Sequence, residues 1–433
     1  YEIMLSESQE RMLVVVKKGH ESKLEDIFEK WELDCTQIGV VTDTQRLEVY
    51  HHNDKVVDIP TDSLVLGGGA PQYDMPSTEP EYLSNINLFK NDSIDLNQNK
   101  NYNENLLNLL SSINITSKEY IYNQYDSTVR TNTMIGPGSD AAVIRIKGTN
   151  KGIAISTDCN GRYVYINPRQ GGMLAVAEAA RNVVCSGAQP IAITNCLNFG
   201  NPQDPEVYWQ FKEAVYGIGD MCRVLNTPVT GGNVSFYNET LESAVYPTPT
   251  IGMVGLIDDV SHVCSMSFIQ ENDFIVILGS LNATLGGSSY LKTIHNRIEG
   301  PLFHFNPEDE KNVQDACLES IRSNIVNSAH DISDGGLAVA LSEMVVNSKN
   351  NLGAKIVHET KISDIEFLFG ECASAIVVAI NQSKLLDLEL IAKKYDVTTQ
   401  AIGVVTNDGK LTVNSLIDID KKQLSNKYFN SLS

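Results

Sequence analysis

Several features that mark secreted, membrane or nucleic-acid-binding proteins are missing from this sequence. Lys and Arg number 33 against 54 Asp and Glu, and the net charge of −21 argues against a surface for nucleic acid or anionic lipid, which needs clustered basic residues. No apolar run approaches the ~18 residues that cross a bilayer, and the first ten residues lack a signal pattern. The eight cysteines include no Cys-x-x-Cys pair, so we expect reduced thiols in a cytosol, without a zinc site or a disulfide framework.

The two common phosphate-binding motifs are also absent. The sequence contains no Gly-x-x-x-x-Gly-Lys-[Ser/Thr] loop and no strand-coupled Gly-x-Gly-x-x-Gly. If the protein binds a nucleotide, it must bind the phosphates with another kind of loop. The 433 residues exceed one ordinary core, which predicts two or three domains, and 42% hydrophobic residues is typical of globular proteins.

The two ends of the chain repeat each other. The string IGVVT at 38–42 recurs at 402–406, an offset of 364 residues, and that register is kept without a gap from residue 7 to residue 49. Leu24 falls on Leu388, and Val49 falls on Val413. We interpret this as an internal duplication.

Each copy is predicted to contain strands and one helix. In the first copy the pattern predicts strands at Arg11–Val16, Asp34–Val41 and Arg46–Tyr50, with a helix at Glu21–Trp31. The second copy closes a unit that starts near Tyr120, so the first copy's unit should start roughly 240 residues before Tyr1. We therefore expect the chain to be the C-terminal part of a longer protein.

The remaining patterns predict the domain organisation. The stretch between the copies is rich in Asn, with one short helix at Glu104–Ile113, and its polarity predicts a linker without a core. Strands and helices alternate on either side of residue 260. The predicted divisions are 1–79, which contains the first copy of the repeat; 80–119, the linker; 120–260; and 261–433, which contains the second copy.

One stretch, 228–239 (PVTGGNVSFYNE), is the strongest candidate for a ligand site. Two adjacent glycines let the backbone approach a ligand, and Asn233 and Ser235 lie on one side of an extended chain. A second glycine-rich turn, 135–140 (IGPGSD), could complete the site. Hard oxygen ligands for magnesium are offered by Asp140, Asp158, Asn233 and Glu239. The alternative is that these are tight turns and capping carboxylates.

His330 precedes two carboxylates in the sequence HDISDGG (330–336), which allows two interpretations. A His beside Asp331 and Asp334 could act as a general base. Asp334 also directly precedes a helix predicted at Leu337–Asn347, and capping of that helix is the favoured interpretation. No cysteine has a nearby His pattern for nucleophilic catalysis.

Six segments together resemble one family, phosphoribosylformylglycinamidine synthase in its small, multi-subunit form. The resemblance implies an α/β (α+β) fold with a duplicated aminoimidazole ribonucleotide synthetase-like architecture, in which a nucleotide-binding domain is followed by a closing domain in each half. The resemblance implies that 1–79 is the end of a first closing domain, 120–260 a nucleotide-binding type of domain and 261–433 a second closing domain. This agrees with the 364-residue register. The segments are 5–12 (LSESQERM), 125–130 (YDSTVR), 157–160 (TDCN), 194–202 (TNCLNFGNP), 230–238 (TGGNVSFYN) and 330–337 (HDISDGGL).

The resemblance also implies an activity. ATP activates the formyl amide oxygen of formylglycinamide ribonucleotide, and ammonia displaces the phosphate to give formylglycinamidine ribonucleotide, with magnesium as cofactor, in cytoplasmic purine biosynthesis. The implied partners are a separate glutaminase subunit, a small bridging subunit and an N-terminal half that carries the catalytic His. The isolated chain should therefore be inactive. Its second nucleotide site, which reads STDCN at 156–160 with no His, should be degenerate and structural.

The resemblance assigns seven residues by position. Asn195 departs from the family, where an Asp is often found; an amide keeps an acceptor but loses the charge. The assigned residues are Glu7, Ser8, Gln9 and Ser235 for the substrate, Asn195 and Gly232 for ATP, and Asn233 for magnesium.

Two other kinds of protein remain as alternatives. Aminoimidazole ribonucleotide synthetase and the selenophosphate and thiamine-phosphate enzymes share the fold, but they do not account for LSESQERM together with a duplicated closing domain. The chain could also be a non-catalytic, nucleotide-binding scaffold that only docks a partner.

Overall fold

The computed structural model describes residues 2–5, 11–90, 101–241, 243–359 and 361–432, which divide into two compact units. The N-terminal unit comprises residues 1–74 and the main unit residues 75–433. Within the described ranges, no helix has the length and apolar character needed to cross a membrane.

The N-terminal unit contains helices and one hairpin. Strands β1 and β2 pair as antiparallel neighbours. Its elements are α1 (Glu2–Leu5), α2 (Glu21–Lys30), β1 (Arg46–His51) and β2 (Asp54–Pro60), followed by a 3-10 turn at Thr61–Leu64.

The main unit opens with three helices that precede its sheets. Helix α4 has an apolar face because Leu106, Leu109 and Leu110 recur at helical spacing, and all three are fully buried. The prediction that this stretch contributes no core is therefore wrong, because an amphipathic helix buries three of its leucines. These helices are α3 (Tyr82–Ile86), α4 (Tyr102–Leu110) and α5 (Glu119–Tyr122).

A six-stranded sheet follows, in the order β3-β4-β5-β8-β6-β7. Helices α7 and α8 cover one of its faces, whereas Ile155 and Ile191 on the other face are each 44% exposed. Strand β7 forms an edge. The elements are β3 (Thr133–Ile135), β4 (Ala142–Arg145), β5 (Gly152–Asp158), α6 (Gly161–Ile166), α7 (Pro168–Cys185), β6 (Gln189–Asn198), α8 (Pro205–Leu225), β7 (Val229–Ser235) and β8 (Thr248–Ile257).

A seven-stranded sheet forms the rest of the main unit, in the order β10-β12-β9-β13-β11-β14-β15. Its central strands are apolar on both faces, since β12 is buried at every position. The elements are β9 (Phe274–Gly279), α9 (Ser289–His295), α10 (Pro307–Arg322), β10 (Val326–Asp331), α11 (Gly336–Asn347), β11 (Gly353–Ile356), α12 (Asp364–Phe369), β12 (Ala375–Ile380), α13 (Leu385–Lys394), β13 (Thr399–Thr406), β14 (Lys410–Val413), β15 (Ile417–Asp420) and α14 (Lys421–Phe429).

The two duplicated segments share only part of their secondary structure. At the offset of 364, helix α2 matches α13, and strand β1 matches β14. The strands predicted at Arg11–Val16 and Asp34–Val41 are wrong, because neither forms a ladder, although their counterparts are β12 and β13. The reason lies in the pairing: β9 lies between β12 and β13, and in the described part of the chain only one β9 exists. The helix and the hairpin need only local contacts and form in both copies.

Candidate nucleotide and substrate site

The glycine-rich stretch forms strand β7, at the edge of the six-stranded sheet. It pairs in parallel with β6, so that Asn195 lies opposite Gly232, Cys196 opposite Asn233, and Asn198 opposite Ser235. Nothing in the described chain covers β7, which is exposed at every position from Val229 to Val234. Gly232 and Asn233, two of the residues predicted to bind ligand, are therefore open to solvent.

Asn195 and Gly232 approach each other more closely than side chains would allow. A Cβ atom on Gly232 would lie 2.1 Å from Oδ1 and 2.4 Å from the backbone oxygen of Asn195. At Gly231 a Cβ atom would meet nothing within 4 Å. Only the second glycine of the pair is thus required by packing within the chain.

The predicted ligand residues divide between the two faces of the sheet. Asn195 shares a face with the buried Ile193 and Leu197, because alternate residues of a strand point the same way. Gly232, opposite Asn195, lies on that same face of the sheet, although β7 itself is exposed there. Asn233 and Ser235 belong to the open face. The structure brings the two predicted ATP residues together, and it places Asn233 and Ser235 on the other side of the sheet.

The remaining predicted substrate residues, Glu7, Ser8 and Gln9, lie outside the described residues. Glu239, a candidate magnesium ligand, accepts a hydrogen bond from the backbone N–H of Asn201 at 3.2 Å. That contact closes the loop after β7.

A second cluster surrounds His330, between the two sheets of the main unit. Its Nδ1 lies 2.9 Å from Asp140, in the turn before β4, and its Nε2 lies 3.0 Å from Glu343 on α11. Burial lowers the pKa of His330, but these two carboxylates outweigh it and raise the pKa well above its ordinary value. Ligand atoms of Asp140, His330 and Asp331 lie within 4.8 Å of one another, a spacing that could hold a metal ion. Oδ2 of Asp140 is buried and has no hydrogen-bond partner.

A buried charge network lies beside this cluster. Arg181 on α7 is 1% exposed and donates to Glu310 at 2.8 Å and to Asp331 at 3.3 Å. Burial and the neighbouring Asp331 raise the pKa of the Asp158 carboxyl well above its usual range, and burial with Asp158 does the same for Glu178. The buried network therefore holds more carboxyl groups than cations.

The interpretation of Asp334 as a helix cap is wrong. The N-cap of α11 is Gly335, whose φ of +81° is in the left-handed region, and no side chain caps that end. Asp334 instead accepts a hydrogen bond from Asn160 at 2.7 Å and pairs with Arg162 at 3.5 Å. The carboxylate of Asp334 therefore contacts residues next to the six-stranded sheet, and these distant partners replace the expected contact with its own helix.

Sequence reasoning missed Glu371, which is fully buried beside this region. Its carboxylate accepts hydrogen bonds from the backbone N–H groups of Ser289 and Gly335 and from the hydroxyl of Tyr163. Burial raises the pKa of Glu371 to about 7. A Glu beside a Gly at the end of an apolar helix gave no signal of this role.

The chain matches two family models. Residues 138–257 match "AIR synthase related protein, N-terminal domain", and residues 1–52 and 270–415 match "AIR synthase related protein, C-terminal domain". Together these ranges cover well over half of the chain. The chain belongs to the AIR synthase related family. The two matches to the C-terminal domain confirm the duplication predicted from the 364-residue register.

Within this family the chain is similar to proteins named phosphoribosylformylglycinamidine synthase subunit PurL. It is 46% identical over 408 residues to that of Thermoanaerobacter sp. (strain X514), which covers 94% of this chain and 54% of the relative. It is 44% identical over 417 residues to that of Alkaliphilus metalliredigens (strain QYMF), covering 95% and 55%. The chain thus spans about half the length of the curated relatives it matches.

Solved structures agree on the fold. Thermotoga maritima PurL complexed with FGAR has a TM-score of 0.62 at 18% identity, covering 75% of this chain and 53% of that one. The same protein complexed with ATP has a TM-score of 0.58 at 20% identity, covering 75% and 52%. The predicted AIR synthetase-like architecture is confirmed.

Proposed function

We propose that this chain contributes the second nucleotide-binding type of domain and its closing domain to a phosphoribosylformylglycinamidine synthase. The complete enzyme would use ATP to activate the formyl amide oxygen of formylglycinamide ribonucleotide (FGAR) and ammonia to form the amidine. The observation that carries the proposal is the 46% identity to a PurL subunit across 408 residues. The PurL of Thermotoga maritima has been solved with FGAR and with ATP.

The geometry of β7 supports a site shared between two polypeptide regions. Asn233 and Ser235 stand on an uncovered edge strand, and the neighbouring Val234 is 48% exposed. A ligand bound there would remain in water unless another domain closed over it, whereas transfer of a phosphoryl group needs water to be excluded. We assign Ser235 to the substrate and the close pair Asn195 and Gly232 to ATP.

Magnesium fits the donor chemistry of Asn233. Its side chain offers a neutral hard oxygen at an open position, and Mg²⁺ is usually bound through few protein oxygens together with phosphates and waters. When bound, the ion would neutralise charge on the transferred phosphate. Asn233 would orient that complex against β7, and the carboxylate ligands would come from the other half of the enzyme.

The N-terminal unit offers a surface for that other half. Leu13, Ile38 and Val41 are each exposed by about four fifths, yet their counterparts at the offset of 364, Val377, Ile402 and Val405, are exposed by no more than 1%. Strand β9 lies between the two strands that carry those counterparts. We propose that the region matching the rest of the relatives' length supplies an equivalent strand here. Further proposed partners are a glutaminase subunit and a small bridging subunit, and the proposed location is the cytoplasm. A structure of PurLQS from Thermotoga maritima has been solved.

Complementation tests the proposal. The chain is mixed with the portion of the Thermoanaerobacter PurL that it does not match, together with FGAR, MgATP and ammonium chloride, so that no glutaminase is needed. We expect ADP and the amidine product only when both polypeptides and FGAR are present. Each polypeptide alone and the mixture without FGAR are the controls.

Two outcomes would contradict the proposal. FGAR-dependent ADP formation by the chain alone would show that the site is not shared. A stable complex of the two polypeptides without any turnover would favour the alternative, a non-catalytic scaffold. Asn233→Ala should reduce turnover of the mixture without preventing assembly.

A further inference from the structure

The loop after β7 is anchored by one side chain, that of Asn238. Its Nδ2 lies 2.7 Å from the backbone oxygen of Ser235 and 3.0 Å from that of Phe199, and it donates to both. The hydroxyl Oγ of Ser235 lies 3.2 Å from both Nδ2 and Oδ1 of Asn238. An amide nitrogen carries two hydrogens. Because the two closer carbonyl oxygens take both, the hydroxyl of Ser235 donates to Oδ1.

The backbone fixes the same arrangement. The N–H of Asn238 donates to Phe199 at 3.1 Å, and the N–H of Val245 donates to the backbone oxygen of Asn238 at 2.9 Å. Tyr237 has a φ of +60°, which is uncommon for a bulky residue and costs energy. Its N–H donates to Gly200 at 2.9 Å. A conformation of this kind persists only where the surrounding contacts determine it.

We infer that Asn238 is a positioning residue that sets the direction of the Ser235 hydroxyl group. With its hydrogen committed to Oδ1 of Asn238, Ser235 presents only lone pairs to a ligand. It would accept a hydrogen bond from an N–H or O–H group, such as an amide N–H or a ribose hydroxyl of FGAR. It would not donate to a phosphate or formyl oxygen. This inference rests on the proposed function, which assigns Ser235 to the substrate.

The chemistry of this contact predicts which kinetic constant responds. Loss of one hydrogen bond of about 1 kcal/mol changes an equilibrium constant about fivefold. In the complemented enzyme, we expect Ser235→Ala and Asn238→Ala each to raise the KM for FGAR about fivefold, with the KM for ATP unchanged. The unchanged KM for ATP also shows that the variant has folded. Ser243→Ala, which removes a hydroxyl group at an exposed position of the same loop, is the matched control.

A double-mutant cycle separates positioning from general loop stability. If Asn238 acts through Ser235, then Asn238→Ala in the Ser235→Ala background should add little to the KM for FGAR, because the hydroxyl group it orients is already gone. Additive effects, or equal changes in the KM values for FGAR and ATP, would overturn the inference.

A measurement without substrate keeps this inference distinct from the proposed function. In the chain alone, labelled with ¹⁵N-asparagine, the side-chain amide protons of Asn238 should exchange slowly, and Asn238→Ala identifies their signal. Rapid exchange would overturn the inference even if the complemented enzyme turns over. Slow exchange without any wild-type turnover would instead overturn the proposed function and, with it, the assignment of a substrate donor to Ser235.

Discussion

Asn195 lies directly opposite Gly232 in the parallel pair β6 and β7, and its amide oxygen occupies the space that a side chain on Gly232 would need. The backbone oxygen of Asn195, 2.4 Å from where a Cβ atom on Gly232 would lie, cannot rotate away. A methyl group at this position must therefore push the edge strand off the sheet. The two predicted ATP residues therefore form a single packing contact.

We expect Gly232→Ala to lower the free energy of unfolding by about 1–3 kcal/mol, the usual cost of overpacking. Gly231→Ala is the matched control and should be close to neutral, because a Cβ atom there meets nothing within 4 Å. Urea denaturation of both variants checks the difference. Equal stabilities of the two variants would show that β7 does not lie against Asn195 as described.

Asn195→Asp should strengthen ATP binding in the complemented enzyme. An ionised acceptor forms hydrogen bonds roughly twice as strong as a neutral one. A gain of about 1 kcal/mol would lower the KM for ATP about fivefold. Asn195→Ala should raise the KM for ATP, and the KM for FGAR should not follow in either variant. If neither substitution changes the KM for ATP, Asn195 does not contact the nucleotide.

The buried Arg181 makes Glu310 the most sensitive carboxylate of α10. Both side chains are exposed by 1% or less, and Glu310 also accepts from the backbone N–H and the hydroxyl of Ser374. Glu310→Ala should destabilise the chain by about 3–5 kcal/mol, because it removes the closer of the two carboxylates to which the buried guanidinium donates. Asp309→Ala, one residue away and exposed, should change stability by less than ~0.5 kcal/mol. A cost for Glu310→Ala no larger than that of this control would contradict the burial of the pair.

Glu371 should make stability depend on pH. Burial raises its pKa to about 7 in the folded chain, whereas the unfolded value is near the ordinary 4.5. Between those values the folded state holds a proton that the unfolded state has released. The free energy of unfolding should therefore fall as the pH rises from about 4.5 to about 7, by at most roughly 3 kcal/mol from this group.

Glu371→Gln separates this group from other carboxyls, since the amide resembles the protonated acid. We expect the variant to show a smaller loss of stability across the same pH range, measured by urea denaturation at several pH values. An identical slope in the variant and the wild type would show that Glu371 is ionised throughout, held by the N–H groups of Ser289 and Gly335.

The sequence determined the local elements and the architecture. The helix predicted at Glu21–Trp31 is observed as α2, Glu21–Lys30, because its apolar residues recur at helical spacing. The duplication was predicted from the constant offset of 364 residues between the two ends of the chain. The adjacent glycines of β7 indicated a place where the backbone can approach a ligand. These properties depend on neighbours in the chain or on a copied pattern.

Only the tertiary structure decided which residues share a site. It placed Asn195 and Gly232 on one face of the sheet and Asn233 and Ser235 on the other. It also showed that Asp334 binds Asn160 and Arg162 and does not cap a helix. It also left 11–16 and 34–41 unpaired, since a strand needs a partner that local sequence cannot supply. Hydrogen bonds between residues far apart in the chain arise only when the sheets and helices pack. The strength of a local pattern therefore does not predict them.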